Sequence, residues 1–267
     1  MVMCDVRKVT ARAAADFVLL CAVICMTACV NGNDTYTGSG APRTYKAFVQ
    51  ALEETEGGES PGNPVDIAFA GTEDASEIYR ALSNAGKYVR LDLSESTVTG
   101  FGTGQYLSGQ AKIVSLILPY NLEHLNPGAF SGWTQLKEVL VPDSVITVGS
   151  EAFYGCTSLS EVTLLDSVTA AATIGEYAFC GCTSLTQITI PGSVILIDRD
   201  AFSLCANLDA VTFMGDGTCL ADDSVFPGGA RLRNVAALSV SGKYGTGPYF
   251  VSRGTYKRLG ETEWWRP

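Results

Sequence analysis

The chain is almost without histidine, and this scarcity removes the commonest side chain of acid–base catalysis and metal binding. Its one histidine, His124, stands between the apolar residues Leu122 and Leu125 and is predicted to be a solvated turn residue. Residues 100–104 are rich in glycine but lack the lysine and the strand–helix context of a phosphate loop. Because no catalytic constellation is present, the sequence predicts a protein that is not an enzyme and that uses no metal or cofactor.

Basic residues are also scarce. The 267 residues include 18 Lys+Arg against 28 Asp+Glu, a formal net charge of −10. Nucleic acids and anionic lipid surfaces attract basic proteins, and this chain has no basic stripe. We therefore expect neither as a partner, and the composition fits an acidic globular protein.

The apolar run at the N-terminus is too short to span a bilayer. It covers residues 17–28 and follows three basic residues within 7–12, an arrangement typical of a secretory signal peptide. Met-Thr-Ala-Cys at positions 26–29 resembles a bacterial lipobox, with Met where Leu is usual. The resemblance implies cleavage before Cys29 and lipidation of that residue; the alternative is a plain signal peptide cut at Ala28 or beyond.

A period of about two dozen residues governs the rest of the chain. Phenylalanine recurs with separations of 23, 26, 23 and 24 residues, at Phe130, Phe153, Phe179, Phe202 and Phe226. A leucine follows each of the first four by six residues and opens the pattern L-x-x-V/I-x-apolar. A fixed period of this length predicts a solenoid, in which each coil buries its apolar side against its neighbours.

Alternating apolar residues predict one short strand in each coil. Val139 and Val141 point to the same side of an extended chain, as do Ile188 and Ile190 in a later coil. Stacked coils then place these strands side by side in one long parallel sheet. A residue that favours a turn ends each strand, at Pro119, Pro142, Asp166 and Pro191.

A second apolar pair and an Ala-Phe step complete each coil. The second pairs are Leu122/Leu125, Val145/Val148, Val168/Ile174 and Val194/Ile197. The third pair spans six residues where the others span three, so we expect the extra residues within 169–173 to bulge outward as a loop.

Cysteine follows the register of the repeat. The cysteines that come three residues after a Phe are Cys156, Cys182 and Cys205. Buried reduced thiols, a disulfide between neighbouring coils and a metal site are the three interpretations. We favour buried thiols, because equivalent side chains of stacked coils point in parallel directions. Cys180 and Cys219 lie outside the register and are predicted to be partly exposed free thiols.

The segments outside the repeats predict a tether and two caps. We divide the chain into a signal peptide (1–28), a tether (29–43), an N-terminal cap (44–87), the repeats (88–235) and a C-terminal cap (236–267). The N-terminal cap is predicted to hold helices over 45–54 and 72–86, the second capped by Thr72, and a strand over 65–70. A hairpin that includes the Trp pair at 264–265 is predicted to close the far end, with the Trp pair as an alternative ligand platform.

The repeat unit resembles a known family. Its best copy, at 185–208, reads Leu-Thr-x-Ile-Thr-Ile-Pro-x-Ser-Val-x-x-Ile-x-x-x-Ala-Phe-x-x-Cys-x-x-Leu, which resembles the treponemal, BspA-like class of bacterial leucine-rich repeats. The lead-in at 85–94 and the tail at 254–256 also look like that family. The resemblance implies spirochaete lipoproteins or related surface proteins that attach to host proteins or to other cells. The sequence departs from the family pattern at Trp133, where Cys is usual, and at 169–173.

The fold that follows is a leucine-rich repeat solenoid. It has a parallel sheet on the concave face, short turns or helical segments on the convex face, a small α/β N-terminal cap and a β-rich C-terminal cap. Solenoids usually bind through the face of the strands, so the outward strand positions matter most. One column of these positions holds Arg90, Ser115, Glu138, Glu161, Gln187 and Ala210. The next column holds Asp92, Ile117, Leu140, Thr163, Thr189 and Thr212.

Two apolar residues stand out on this face. Ile117 and Leu140 alternate with core residues on adjacent strands, so we expect them to be exposed neighbours that mark a contact site. The alternative is that the N-terminal cap or the tether covers them. The predicted partner-binding residues are Ile117, Leu140, Glu138, Glu161, Thr163, Gln187, Thr189 and Thr212.

Two functions remain open. The first is a lipid-anchored module that binds a host or bacterial protein through its concave face. The second is a periplasmic structural or self-associating protein, with the apolar pair as an interface between copies. In both cases the chain is exported and meets the membrane only through its N-terminal lipid, and the sequence leaves open which side of the outer membrane it occupies.

Overall fold

The computed structural model describes residues 41–72, 74–98, 101, 112–167, 171–227, 231–232, 236–237, 249–258 and 263–265. The predicted signal peptide and lipidation site, Cys29, lie outside these residues. No helix in the described ranges combines the length and the hydropathy needed to cross a bilayer.

Short strands dominate the described chain. The helical elements are α1 (Tyr45–Glu54), α2 (Ala75–Ala85) and one 3₁₀ turn (Asp223–Val225). The strands are β1 (Val65–Ala68), β2 (Val89–Asp92), β3 (Ile113–Ile117), β4 (His124–Leu125), β5 (Glu138–Val141), β6 (Thr147–Val148), β7 (Glu161–Leu164), β8 (Ala172–Ile174), β9 (Gln187–Ile190), β10 (Val194–Ile197), β11 (Ala210–Phe213), β12 (Thr218–Leu220), β13 (Arg231–Leu232), β14 (Ala236–Ala237), β15 (Tyr249–Val251), β16 (Gly254–Arg258) and β17 (Glu263–Trp265).

One strand from each coil builds the concave side, which confirms the solenoid. The strands β1-β2-β3-β5-β7 form a sheet in which every neighbouring pair is parallel. The next two, β9 and β11, are also parallel to each other but belong to a second sheet with β16, β17 and β13. The concave side is therefore two sheets rather than the single long sheet that the repeat predicts.

The convex side carries turns, as predicted, and short strands in place of helical segments. These strands form a continuous sheet in the order β14-β15-β12-β10-β8-β6-β4. Apolar pairs three residues apart are typical of a helical turn, but an irregularity of register between Val194 and Leu196 lets Val194 and Ile197 both face the core of an extended segment. Ala172 and Thr173 belong to β8, so the predicted outward loop is shorter than 169–173, and residues 168–170 lie outside the described ranges.

The core is a continuous column of aromatic rings, as the period predicts. Successive ring centroids from Phe130 to Phe226 lie 5.1, 5.1, 5.2 and 5.6 Å apart, and each of the five side chains is at most 1% exposed. Each coil contributes one ring because a single coil is too small to surround it. The stack therefore ties the coils together through contacts that no coil makes alone.

Elements outside the repeats pack against both ends of the solenoid. At the N-terminal end, α1 has the predicted bounds, and Tyr79 of α2 packs edge-on against Trp133 with the centroids 5.4 Å apart. The expected cap of α2 was wrong: Asp74, not Thr72, accepts a hydrogen bond from the backbone of Ser76 at 2.8 Å. At the other end, β16 pairs antiparallel with β11 and β17 pairs antiparallel with β16.

Candidate protein-binding face

The strand register confirms both predicted columns within each concave sheet. Asp92, Ile117, Leu140 and Thr163 are successive partners across β2, β3, β5 and β7, and Thr189 pairs with Thr212 across β9 and β11. Glu138 and Glu161 are partners too, so the two predicted neighbouring carboxylates lie side by side. The period of the repeat alone was enough to assign these positions.

The predicted exposure of the apolar pair was wrong. Ile117 is 2% exposed and Leu140 is 9% exposed. Neither belongs to the continuous hydrophobic core, which agrees with the alternation, yet the chain also excludes solvent from this part of the opposite face. Alternation along a strand determines which way a side chain points, but it carries no information about what packs over it. Ile117 and Leu140 are therefore not a free contact surface.

The accessible part of the face lies in the second half of the repeats. In β9, Gln187 and Thr189 are exposed while Ile188 and Ile190 between them are buried. Glu161, Thr163 and Thr212 are half-buried in the neighbouring strands. Solvent can reach six of the eight predicted contact residues, including the half-buried Glu138.

A threonine column runs into the C-terminal hairpin. Thr212 pairs with Thr255 across β11 and β16, and their hydroxyl oxygens form a hydrogen bond of 2.9 Å. Thr255 thus adds a fourth threonine to the column of Thr163, Thr189 and Thr212, and the sequence pattern did not predict it. Repetition could not reveal Thr255, because β16 is antiparallel and lies outside the repeat.

The first half of the face ends in a charged group. Asp66 of β1 accepts hydrogen bonds from Nε and, at 2.8 Å, from Nη2 of Arg90. Hydrogen bonding to Asp66 raises the pKa of Arg90, burial opposes this, and the charges of Asp66 and Glu138 add to it. Asp66 holds the guanidinium within the sheet, and the charge of Glu138 on the same face also stabilises the cation. Asp66 was missed because β1 precedes the repeats.

Apolar side chains border the accessible half. Met214 follows β11 and is 41% exposed, and Leu165 follows β7 and is half-buried. In the coils before and between them the equivalent residues are Pro142 and Pro191, both of which are buried. The border thus offers flexible apolar contacts beside a polar surface.

The cysteine column is structural. The thiols of Cys156, Cys182 and Cys205 are free, fully buried and donate to the carbonyl oxygens of Phe130, Phe153 and Phe179 at 3.1, 3.3 and 3.0 Å. The expectation of buried reduced thiols is confirmed. Burial raises the pKa of Cys156 from 9.0 to about 12, so the neutral thiol persists there.

The two cysteines outside the register differ from each other. Cys219 is partly exposed, as predicted. Cys180 is 2% exposed, so its predicted exposure was wrong. The hydroxyl of Ser203, in the next coil, donates to the Cys180 sulfur at 3.1 Å. Contacts between coils thus bury a residue whose position in the period gave no such indication.

The described residues contain no group of three His, Cys, Asp or Glu side chains that could hold a metal ion. His124 is exposed, in agreement with its predicted solvation, but it lies in the short strand β4 rather than in a turn. The side chains of the Trp pair at 264–265 lie outside the described side chains, so the alternative ligand platform stays a prediction.

Comparison with known proteins supports the repeat assignment. Residues 104–229 match the family described as BspA type leucine rich repeat region, in six copies. A leucine-rich repeat protein of known crystal structure from Bacteroides ovatus is 22% identical, over 55% of this chain and 52% of that chain, with a TM-score of 0.24. The match therefore spans about half of that protein's length, and no curated protein matches the chain. The repeat region of this chain is a leucine-rich repeat solenoid.

Proposed function

We propose that the chain is an exported, lipid-anchored module that binds a protein through the accessible half of its concave face. The observation that carries the proposal is the alternation in β9. Gln187 and Thr189 are exposed while Ile188 and Ile190 anchor the same strand in the core. The backbone that carries these contact residues loses little conformational freedom on binding, because the solenoid has already ordered it.

The chemistry of the face favours a polar partner. Threonine and glutamine side chains donate and accept hydrogen bonds without the desolvation cost of a charge. At one end of the face, Glu138 and Glu161 lie side by side on adjacent strands.

The size of the face limits the affinity. Four strands about 4.8 Å apart and four residues long at about 3.3 Å each cover roughly 250 Å², well below the roughly 800 Å² that each partner buries in a standard interface. A contact on the strands alone is therefore weak. Leu165 and Met214 extend the face, and we propose that they take part in the contact.

Export and anchoring rest on the N-terminal sequence. A basic segment, a short apolar run and Cys29 support processing as a lipoprotein, with Cys29 as the first residue of the mature chain. Mass spectrometry of the protein from its native membrane should find an acylated Cys29. An unmodified amino terminus at any other residue would refute the anchor without touching the proposed binding face.

Site-specific photo-crosslinking tests the binding face. A benzophenone amino acid replaces Thr189 in the full chain, expressed in cells that export it. The matched control carries the same group at Ile195, which is 51% exposed on β10 of the same coil but belongs to the convex sheet. We expect a covalent adduct with another protein from position 189 and none from 195.

Each outcome distinguishes the two functions. An adduct between two copies of the chain would favour the self-associating protein, and equal adducts from both positions would show that the concave face is not selective. Digestion of intact cells with protease then decides the compartment, because a chain on the outer surface is cut and a periplasmic chain is protected.

A further inference from the structure

The concave side is interrupted between β7 and β9. These strands occupy equivalent positions in consecutive coils, yet β7 ends one sheet and β9 ends the other. We call the boundary between them the seam. The convex sheet continues past it, because β8 and β10 pair in parallel at the same level of the solenoid. The interruption is therefore confined to one side of the molecule.

A hydrogen bond that neighbouring coils share is missing at the seam. At the start of the strands, the backbone N–H of Ser160 donates to Lys137 at 2.9 Å, and that of Asp209 donates to Thr186 at 2.8 Å. At the seam, the equivalent bond would run from the backbone N–H of Thr186 to the carbonyl oxygen of Ser160. Both residues lie in the described ranges, and this bond is not formed. The two strands consequently start without the link that holds their neighbours together.

Proline removes the corresponding link at the other end of the strands. Leu165 donates its backbone N–H to Val141 at 3.0 Å, and Met214 donates to Ile190 at 2.9 Å. At the seam, the donor to the carbonyl oxygen of Leu164 would be the residue at position 191. This residue is proline, which has no backbone N–H. Proline also follows β5, where the ladder persists, so the proline contributes to the seam without being its whole cause.

Core side chains beside the seam are more exposed to solvent on the β7 side than on the β9 side. Val162 is 9% exposed and Leu164 is half-buried, whereas the equivalent Ile188 and Ile190 of the next coil are 3% and 0% exposed. This observation is independent of the hydrogen bonds. It shows that solvent approaches the core where the ladder is absent.

Side-chain hydrogen bonds close the seam at both of its ends. The hydroxyl of Ser184 donates to the carbonyl oxygen of Thr157 at 2.6 Å. Beyond the strands, the carboxylate of Asp166 accepts a hydrogen bond from the backbone N–H of Ser193 at 2.9 Å, and the hydroxyl of Ser193 accepts one from the backbone N–H of Ser167 at 3.2 Å. The bonds from Ser184 and to Asp166 involve exposed groups, which water can replace more readily than it can enter a backbone ladder.

We propose that the seam is a latched hinge between two half-solenoids. Opening separates β7 from β9 and bends the molecule about the continuous convex sheet, with the bond from Ser193 to Asp166 as the latch. Parts of a structure with few buried contacts and exposed hydrogen bonds open at lower free energy than the rest. The hinge divides the concave face, since Thr163 lies on one side of the seam and Thr189 on the other, so opening changes the distance between residues proposed to bind one partner.

Hydrogen exchange of the full chain tests the hinge directly. The amide of Ser160 bonds away from the seam to Lys137, and the amide of Lys137 makes the equivalent bond to Val114 one coil earlier. Opening leaves β7 as an edge strand, so we expect the Ser160 amide to exchange about tenfold faster than the Lys137 amide. Equal protection of the two amides would overturn the proposal.

Two matched pairs of variants separate the hinge from general loss of stability. Asp166→Ala removes the latch, whereas Asp143→Ala removes an exposed carboxylate at the same repeat position that makes no such bond in the described chain. We expect several-fold faster exchange in β7 and β9 for Asp166→Ala alone. Pro191→Leu restores a backbone donor and should slow exchange at the seam, while Pro142→Leu should not. If both members of a pair act alike, the seam is not a hinge.

Discussion

The rings of Phe179 and Phe202 are parallel to within 2°, and their centroids lie 5.2 Å apart. Phe179 also stacks on Phe153 at 5.1 Å, so its ring is in contact with rings on both sides. Replacing Phe179 with Ala leaves a cavity between two coils that cannot close the gap independently. We expect a loss of about 3–5 kcal/mol in the free energy of unfolding, measured by urea denaturation.

A smaller change at the same position provides the control. Phe179→Leu keeps most of the volume and should cost clearly less than Phe179→Ala. A loss below about 1 kcal/mol for the alanine variant would contradict a stack in which each ring depends on its neighbours.

The buried thiol of Cys156 makes stability depend on alkaline pH. Burial raises the pKa of Cys156 from 9.0 to about 12, so between these values the unfolded chain loses a proton that the folded chain retains. The unfolded state then gains stability, and the free energy of unfolding falls as the pH rises above about 9. At pH 10.5 we expect a loss of roughly 2 kcal/mol from this group.

The Cys156→Ala variant isolates that contribution. It should be less stable than the parent at pH 8, because the packing and the bond to Phe130 are lost, but its stability should decline less steeply between pH 9 and 10.5. The measurement is urea unfolding at each pH under reducing conditions. Parallel slopes for the two proteins would show that Cys156 ionises normally in the folded state.

Leu204 occupies a position that other coils fill with glycine. Its φ is 58°, where Gly132, Gly155 and Gly181 have φ of 75°, 66° and 75°, and its side chain is 67% exposed. A left-handed backbone costs about 1–2 kcal/mol for a residue with a Cβ, and an exposed side chain recovers little of that through packing. We expect Leu204→Gly to stabilise the fold by about 0.5–1 kcal/mol, after the greater freedom of glycine in the unfolded chain is counted.

Gly155→Ala is the converse experiment. A Cβ at Gly155 would meet no heavy atom within 4 Å, so any destabilisation comes from the backbone alone. We expect a loss of about 1 kcal/mol, measured by the same thermal and urea unfolding curves. If Leu204→Gly destabilises the protein, the leucine side chain makes contacts that its exposure does not suggest.

The hydroxyl of Tyr79 is buried and makes no hydrogen bond within the described structure. Desolvation by burial raises the pKa of Tyr79, and the charge of Asp74 adds to the effect. Tyr79→Phe keeps the edge-on contact with Trp133 and removes the unsatisfied group, so we expect a gain of about 1 kcal/mol in stability. Tyr154→Phe, at a 43% exposed position, should leave stability unchanged. A clear loss from Tyr79→Phe would indicate that the hydroxyl has a partner.

The period of the sequence determined the solenoid, the stack of phenylalanines, the strand columns and the buried thiols at Cys156, Cys182 and Cys205. These features follow from a one-dimensional property, because equivalent residues of successive coils must lie side by side once the coils stack. Even the adjacent carboxylates of Glu138 and Glu161 could be assigned in this way.

Tertiary structure decided what the period cannot express. Ile117 and Leu140 lie outside the continuous core, as their alternation requires, but their burial could not be predicted from that alternation. Cys180 is buried by contacts with Ser203 of the next coil. The seam between β7 and β9 depends on which backbone donors reach acceptors in the folded chain, and Pro191 lacks the N–H that one of these bonds needs. Repetition specifies which residues are neighbours, whereas hydrogen-bond distances and solvent access are set only when the whole chain is packed.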